Sequence, residues 1–167
     1  MIRRPPRSTL DRSSAASDVY KRQVLDMGCG TGLAGKLLDQ AGYDHIDGID
    51  LSPEMLEKAA ALKVYRQLWE GDLTAVIDVQ PIYQALICVG VFSHKPDQPF
   101  LIPKLLDCVL PGGLVMATVN GKGWQDIGWV ELLEESQRQN EFTLESVDDI
   151  GYLTKQGIDG KLLTIRA

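Results

Sequence analysis

The sequence predicts a doubly wound α/β fold with a seven-stranded, mostly parallel sheet that ends in an antiparallel hairpin. From residue 24 onward, short apolar runs alternate with segments of helical periodicity, which is the pattern of strands joined by crossover helices. The last two apolar runs, 142–153 and 161–167, leave little room for a helix between them and so predict the hairpin. A length of 167 residues fits one domain, and we find no internal repeat.

The first strand is predicted at 24–27, and a glycine-rich turn follows it. A helix is predicted over roughly 33–41, and Gly42 is its C-terminal stop. The residues at helical spacing that we expect on its buried face are Leu33, Leu37, Leu38 and Ala41.

The second strand is predicted to end at Asp50. Ser52 is expected to cap the following helix, because a serine hydroxyl accepts from free N-terminal amides and Pro53 fits the first helical position. The expected buried face of this helix consists of Met55, Leu56, Ala59 and Ala60.

The remaining elements complete the alternation of strands and helices. They are a strand ending near Glu70, a strand at 83–90, a helix at 100–110, a strand at 114–119 and one long amphipathic helix at 124–139. The uninterrupted apolar run at 83–90 is typical of a central parallel strand. Pro103 is compatible with its helix only in the first turn.

The charge of the chain is divided unevenly. Residues 1–23 hold six of the 17 basic residues and two of the 23 acidic ones, which leaves 11 basic and 21 acidic residues over 24–167. A net charge of −10 over this body argues against binding of a nucleic-acid backbone, which requires clustered Lys and Arg. It favours a small or cationic ligand.

The three cysteines, Cys29, Cys88 and Cys108, are odd in number and lack metal-ligand spacing. We therefore expect free thiols in a reducing compartment such as the cytoplasm, and no bound metal. No apolar run approaches the length that spans a membrane, so no membrane partner is expected.

A glycine-rich turn follows the first strand and contains Gly28, Gly30 and Gly32. Asp50 lies at the end of the second strand, where a carboxylate can accept hydrogen bonds from ribose hydroxyls. A simple tight turn and a nicotinamide-dinucleotide site are the alternatives. The second is disfavoured because the GxGxxG register begins late, at Gly30, and because Asp26 would repel a pyrophosphate.

Several segments together resemble a known family. VLDMGCGTG resembles motif I of the class I S-adenosylmethionine-dependent methyltransferases, and the similarity covers essentially all of 24–167. IDGIDLSPEML and EGDL are similar to the two following cofactor loops, and ALICVGVFSH and LLDCVLPGGLVMATV to the regions of strands four and five. Within that class the chain most resembles the small methyltransferase-like proteins of the Williams–Beuren region type. The resemblance implies a Rossmann-like fold and S-adenosyl-L-methionine as cofactor.

The resemblance also implies roles for residues of the first two loops. Gly28, Gly30 and Gly32 line the methionine and ribose moiety of the cofactor. Asp26 helps to hold the ammonium group through water, and Asp50 accepts from the ribose hydroxyls.

Five further residues receive roles from the same resemblance. Leu51 packs on the adenine, Asp72 accepts from its exocyclic amine and the Leu73 amide meets the ring edge. Val89 and Gly90, just after the fourth strand, pass near the transferring methyl group.

The methyl acceptor is less well defined by the sequence. His94 is the only candidate for a catalytic base, and its position is better explained as that of a surface or capping histidine. The fourth strand lacks the Asn/Asp-Pro-Pro-aromatic motif of resembling amino-methyltransferases, which favours a small-molecule acceptor over nucleic acid, with a protein acceptor as the alternative. Trp124 and Trp129 either shape the acceptor pocket or pack in the core.

Two functions are alternatives to an active methyltransferase. They are an inactive or regulatory cofactor-binding domain and a nicotinamide-dependent oxidoreductase.

Residues 1–23 do not fit the rest of the chain. Back-translation of 1–9 resembles a flow-cell sequencing primer, and that of 13–23 resembles a transposase library adapter, with a barcode between them. We therefore expect 1–23 to be a non-native, disordered segment and 24–167 to be a methyltransferase domain without its native N-terminal segment.

Overall fold

A computed structural model of the chain describes residues 23–73, 75, 79, 82–92, 101–139, 142–153 and 157–167. The predicted adapter segment therefore lies outside the described residues except for Gln23. This glutamine is buried and is the first residue of the first strand, which begins one residue earlier than predicted.

The described residues form twelve elements, which follow one another in chain order. They are β1 (Gln23–Met27), α1 (Leu33–Gln40), β2 (His45–Asp50), α2 (Pro53–Ala61), β3 (Gln67–Glu70), β4 (Tyr83–Phe92), α3 (Leu101–Leu106), β5 (Val109–Asn120), α4 (Gly121–Ile127), α5 (Trp129–Arg138), β6 (Thr143–Leu153) and β7 (Ile158–Arg166). No helix in these described ranges is both long enough and apolar enough to cross a membrane.

The seven strands form one sheet in the order β3-β2-β1-β4-β5-β7-β6. The pairs from β3 to β5 are parallel, and β7 is antiparallel to both β5 and β6. The predicted Rossmann-like, doubly wound sheet with a C-terminal antiparallel hairpin is confirmed. The strand order reverses between β1 and β4, so the carboxyl ends of β1, β2 and β4 flank the switch point where such sheets bind ligands.

The predicted helix boundaries near this edge are confirmed. The Ser52 hydroxyl accepts a hydrogen bond of 3.3 Å from the Met55 amide, and Pro53 occupies the first position of α2. After α1, Gly42 has a φ of 92°, and its amide donates to the Asp39 carbonyl. A left-handed glycine here ends the helix without the steric cost that a Cβ would bring.

The predicted buried face of α1 is wrong. Leu33 and Leu37 are 68% and 59% exposed, and Gly35 is the buried residue of this helix. The physical reason is close packing on the Tyr65 ring, because a Cβ at Gly35 would lie 2.2 Å from the Tyr65 hydroxyl oxygen. The helix therefore faces the sheet with its smallest residue and turns Leu33 and Leu37 outward, while Leu38 is half-buried. In α2, likewise, Ala59 is buried whereas Met55 and Ala60 are exposed.

The single long helix predicted at 124–139 is two helices. Gly128 separates α4 from α5 and has a φ of 71°, which a right-handed helix cannot contain. The break reorients the chain so that Trp129, the first residue of α5, is fully buried. Amphipathic periodicity continues across the break, and for this reason the pattern alone indicated one helix.

A buried carboxylate in β2 is hydrogen-bonded to residues at the amino ends of β3 and β4, away from the carboxyl ends that flank the switch point. Asp47 in β2 is fully buried and accepts hydrogen bonds from two guanidinium nitrogens of Arg66, just before β3. Tyr83, the first residue of β4, donates its hydroxyl to the same carboxylate at 2.8 Å. A buried charge is tolerated only when paired and hydrogen-bonded in this way.

Candidate functional site

The glycine turn after β1 is fixed to the end of β2. The amides of Gly28 and Cys29 both donate to the Ile49 carbonyl, at 2.8 and 3.0 Å. Gly28 has a φ of 74°, and a Cβ there would lie 2.4 Å from Cγ2 of Val91, so no larger residue fits. A Cβ at Gly30 would meet nothing within 4 Å. The turn is thus packed at its first glycine and open at its second, where a ligand can approach the backbone.

Asp50 joins the two loops that leave β1 and β2. Its Oδ2 atom accepts a hydrogen bond of 2.7 Å from the Gly30 amide, and its Oδ1 atom accepts one of 2.9 Å from the Ser52 amide. Each carboxylate oxygen retains a second lone pair for a ligand hydroxyl. The structure therefore brings together Gly30 and Asp50, which are 20 residues apart and were singled out from separate motifs.

Asp26 lies beneath this turn and is 1% exposed. Its carboxylate accepts a hydrogen bond of 2.6 Å from the Tyr65 hydroxyl. Burial raises the pKa of Asp26 to about 6, against the smaller opposing effects of the Tyr65 hydroxyl and the Gly35 backbone amide, and Asp50 raises the pKa further. The same burial, together with the Asp26 charge, raises the pKa of Tyr65 well above its usual range.

Tyr65 is the residue of this region that sequence reasoning missed. It lies in the loop between α2 and β3, where no motif marks it. Its ring occupies space left by three glycines, since a Cβ at any of them would come within about 3 Å of Tyr65 atoms: Gly32, Gly35 and Gly48. The only available signal was therefore the presence of Gly35 in a helix and Gly48 in a strand, two places where glycine is unfavourable.

The residues predicted to contact an adenine lie along the same edge of the sheet. Leu51 directly follows Asp50 and is 61% exposed. β3 runs parallel to β2, and Glu70 pairs with Asp50. Asp72 follows two residues after this pair, and its side chain is exposed. Leu73 is half-buried and packs against the core. An exposed apolar side chain and an exposed carboxylate thus stand on either side of the β2–β3 end.

The apolar run 83–90 predicted Val89 and Gly90 within the fourth strand, whereas the resemblance placed them just after it, and the second placement is wrong. Both lie within β4, which continues to Phe92. The β4–β5 register shifts between Cys88 and Phe92, and Gly90 has a φ of 81° at this irregularity. Its amide donates a hydrogen bond of 2.9 Å to the Thr118 hydroxyl of β5. Because sheet irregularities often lie next to active sites, this one is consistent with a functional strand end.

The other sequence candidates differ in where the structure places them. His94 lies outside the described residues. Trp129 is fully buried and stands edge-on to Phe92, so its role is core packing. Trp124 stacks on Trp129, at 6.1 Å between ring centroids, and also lines a cavity of about 410 Å³. Lys122, Lys161 and Asp149 contribute to the same cavity.

The thiol of Cys29, which lies in the glycine turn of the site, is unreactive. Cys29 lies in the glycine turn and is buried, and burial together with Asp26 and Asp50 raises its pKa to about 12. Such a thiol stays protonated and is not a nucleophile at neutral pH. Cys88 and Cys108 are also free and buried, so the prediction of free thiols is confirmed for all three.

Known proteins with similar sequences are methyltransferases. Residues 2–153 match a family model described as a methyltransferase domain. A trans-aconitate 2-methyltransferase of Pseudomonas aeruginosa (strain UCBPP-PA14) is 32% identical over 112 residues, which cover 66% of this chain and 40% of that protein. A ubiquinone biosynthesis O-methyltransferase of Xylella fastidiosa (strain 9a5c) is 32% identical over 120 residues, covering 66% and 47%. The chain therefore spans less than half the length of these curated relatives.

Solved structures with the same fold extend the comparison. The crystal structure of an S-adenosylmethionine-dependent methyltransferase from Mesorhizobium loti superimposes with a TM-score of 0.67 at 16% identity, covering 87% of this chain and 90% of that one. The chain belongs to the methyltransferase-domain family and has the fold of the class I S-adenosylmethionine-dependent methyltransferases.

Proposed function

We propose that this protein binds S-adenosyl-L-methionine at the carboxyl ends of β1, β2 and β3 and transfers its methyl group to a small-molecule acceptor. The observation that carries the proposal is the Asp50 carboxylate, which is held by the Gly30 and Ser52 amides at the switch point of the sheet. A carboxylate in this position suits a pair of ribose hydroxyls.

The residues around Asp50 fit the rest of such a cofactor. The open backbone at Gly30 admits the methionine and ribose portion, with Gly28 and Gly32 shaping the turn. Leu51 is exposed, and we assign it to the face of the adenine. We assign exposed Asp72 and the Leu73 amide to the polar edge of the same ring. Asp26 contributes negative charge near the ammonium group. A carboxylate-rich site favours a sulfonium cation and disfavours the pyrophosphate of a nicotinamide dinucleotide.

When bound, S-adenosyl-L-methionine supplies a methyl group already activated by its positive sulfur. The chain's task is then to hold the acceptor nucleophile in line with that methyl, which alone can account for a large part of the rate. The β4 end at Val89 and Gly90 and the adjoining end of β5 form the surface on which we place the acceptor. From the sequence, His94 stays a candidate base.

We assign the acceptor to small molecules because the curated relatives act on them by name, as in trans-aconitate 2-methyltransferase. The absence of the Asn/Asp-Pro-Pro-aromatic motif supports the same assignment. A protein acceptor is the alternative. Our proposal also includes the resemblance to the small methyltransferase-like proteins of the Williams–Beuren region type. That resemblance predicts the same cofactor, S-adenosyl-L-methionine.

Two titrations and one transfer assay test the proposal. Isothermal calorimetry should show binding of S-adenosylhomocysteine and no binding of NAD; the reverse result would replace the methyltransferase proposal with an oxidoreductase. Radiolabelled S-adenosyl-L-methionine with a panel of small carboxylic acids and phenols should then give labelled product. Cofactor binding with no transfer to the panel, to proteins or to a cell extract would indicate an inactive cofactor-binding domain.

We also propose that residues 1–23 are translated adapter. The support is the back-translation of 1–9 and 13–23. The family match begins at residue 2 and so includes this segment. Raw sequencing reads decide the matter, because reads in which natural codons replace the adapter-like ones across 1–23 contradict the proposal.

A further inference from the structure

A bulge near the end of β6 directs one aromatic side chain across the sheet. Gly151 pairs with Asp159 and Leu153 with Ile158, so Tyr152 is the extra residue on β6. Bulges re-aim the side chain that they carry. The Tyr152 side chain lies against Gly160 of β7, where an added Cβ would be 2.9 Å from both Cβ and Cδ2 of Tyr152. Glycine at 160 is therefore what allows the ring to take this path.

The Tyr152 hydroxyl ends next to Gly90 of β4. A Cβ built on Gly90 would lie 3.8 Å from this hydroxyl oxygen. Tyr152 thus extends from the outermost strand, β6, towards the strand end that the proposed function places beside the transferring methyl group. Two glycines, one under the ring and one at its tip, shape this position.

The hydroxyl is free to bind a ligand. Tyr152 is half-buried, and the described part of the chain provides its hydroxyl with no hydrogen-bond partner. A phenol can donate one hydrogen bond and accept others, and its rigid ring holds the group in place at low entropic cost. An oxygen-bearing acceptor would satisfy this donor.

We infer that Tyr152 is a specificity-determining residue that donates a hydrogen bond to an oxygen of the methyl acceptor. The inference rests on the proposed function. In the reaction, a lone pair on the acceptor nucleophile forms the new bond to the methyl carbon while the carbon–sulfur bond breaks and its electron pair stays on sulfur. A carboxylate acceptor, such as the probe used below, loses no proton in this step, so with that probe Tyr152 orients the acceptor and no base is needed.

The test compares Tyr152→Phe with Tyr43→Phe, which removes an exposed hydroxyl between α1 and β2. The first readout needs no acceptor: S-adenosyl-L-methionine with a carbon-13 methyl is bound, and the resonance of the bound methyl is recorded. We expect Tyr152→Phe to shift this resonance and Tyr43→Phe to leave it in place. Thermal unfolding shows that both variants are folded.

The second readout is transfer to trans-aconitate as a probe carboxylic acid. Tyr152→Phe should lower kcat/KM by about ten- to a hundredfold, the range for a lost charge-assisted hydrogen bond, with unchanged affinity for S-adenosylhomocysteine. A bound methyl resonance that is identical in wild type and Tyr152→Phe overturns the inference alone, as does unchanged kcat/KM. If the wild type gives no bound methyl resonance, the proposed function fails and the inference with it. If trans-aconitate is not turned over, the methyl resonance decides.

Discussion

The Tyr65 hydroxyl donates a 2.6 Å hydrogen bond to the Asp26 carboxylate, which joins the loop before β3 to the centre of β1. Because Asp26 is 1% exposed, its charge is held away from water under the candidate cofactor site. Burial of a carboxylate favours its protonated form, which is why the pKa of Asp26 rises from 3.8 to about 6. The buried Asp26 carboxylate therefore lowers the stability of the fold near neutral pH.

This cost predicts the effect of Asp26→Asn on stability. The folded pKa lies above the unfolded value, so the stabilisation linked to protonation is fully present below pH 3.8 and is lost as pH rises through about 6. At neutral pH, Asp26→Asn should therefore raise the free energy of unfolding, by on the order of 2–3 kcal/mol. Urea unfolding from about pH 4 to about pH 8 measures the difference, which should vanish towards pH 4. A variant that is less stable than wild type at every pH contradicts this account.

Tyr65→Phe removes the hydroxyl and leaves the rest of the ring on its three glycines. Since this hydroxyl stabilises the charged form of Asp26, we expect the pKa of Asp26 to rise further above 6. Carbon-detected NMR titration of the Asp26 carboxyl measures the change directly. Tyr43→Phe is the matched control, because it removes the hydroxyl of an exposed tyrosine outside this site. A titration midpoint that is equal in wild type and Tyr65→Phe would show that burial alone sets the pKa.

Asp50→Ala should weaken cofactor binding. Loss of charge-assisted hydrogen bonds to two ribose hydroxyls predicts an increase of about ten- to a hundredfold in the dissociation constant for S-adenosylhomocysteine. Calorimetry measures the constant, and Asp39→Ala, which removes an exposed acid from α1, should leave it unchanged. Because Asp50 also holds the Gly30 and Ser52 amides, thermal unfolding must accompany the titration. Equal affinity in a folded Asp50→Ala protein contradicts the ribose assignment.

The sheet and part of the site were predictable because they follow from local rules. Alternating apolar runs and helical periodicity predicted a mostly parallel, doubly wound sheet with a terminal hairpin, and the end of β2 placed Asp50 at the edge that contains Gly30. Both features depend on residues close to one another in sequence or on the parallel topology itself. They require no knowledge of side-chain packing.

What the sequence did not reveal depends on contacts between distant side chains. Tyr65 reaches Asp26 across 39 positions only because Gly35 and Gly48 leave room for its ring. The exposed leucines of α1 follow from the same contact, which turns Gly35 inward. The break at Gly128 likewise accompanies the burial of Trp129 and leaves the amphipathic pattern unchanged. Periodicity reports which residues are apolar, and packing decides which of them are covered.

The two glycines at the start of the turn should respond differently to alanine. Gly28→Ala places a Cβ 2.4 Å from Val91 at a positive φ, whereas Gly30→Ala meets open space and carries only the backbone strain of its φ of 54°. We expect Gly30→Ala to lose roughly 1–2 kcal/mol of stability, the cost of the left-handed conformation, and Gly28→Ala to lose more. Urea unfolding measures the loss of stability in both variants.

The Gly30→Ala variant also tests where the ligand binds. A folded Gly30→Ala protein should lose affinity for S-adenosylhomocysteine, because its new methyl projects into the space assigned to the ligand. Unchanged affinity in that variant would place the ligand away from Gly30.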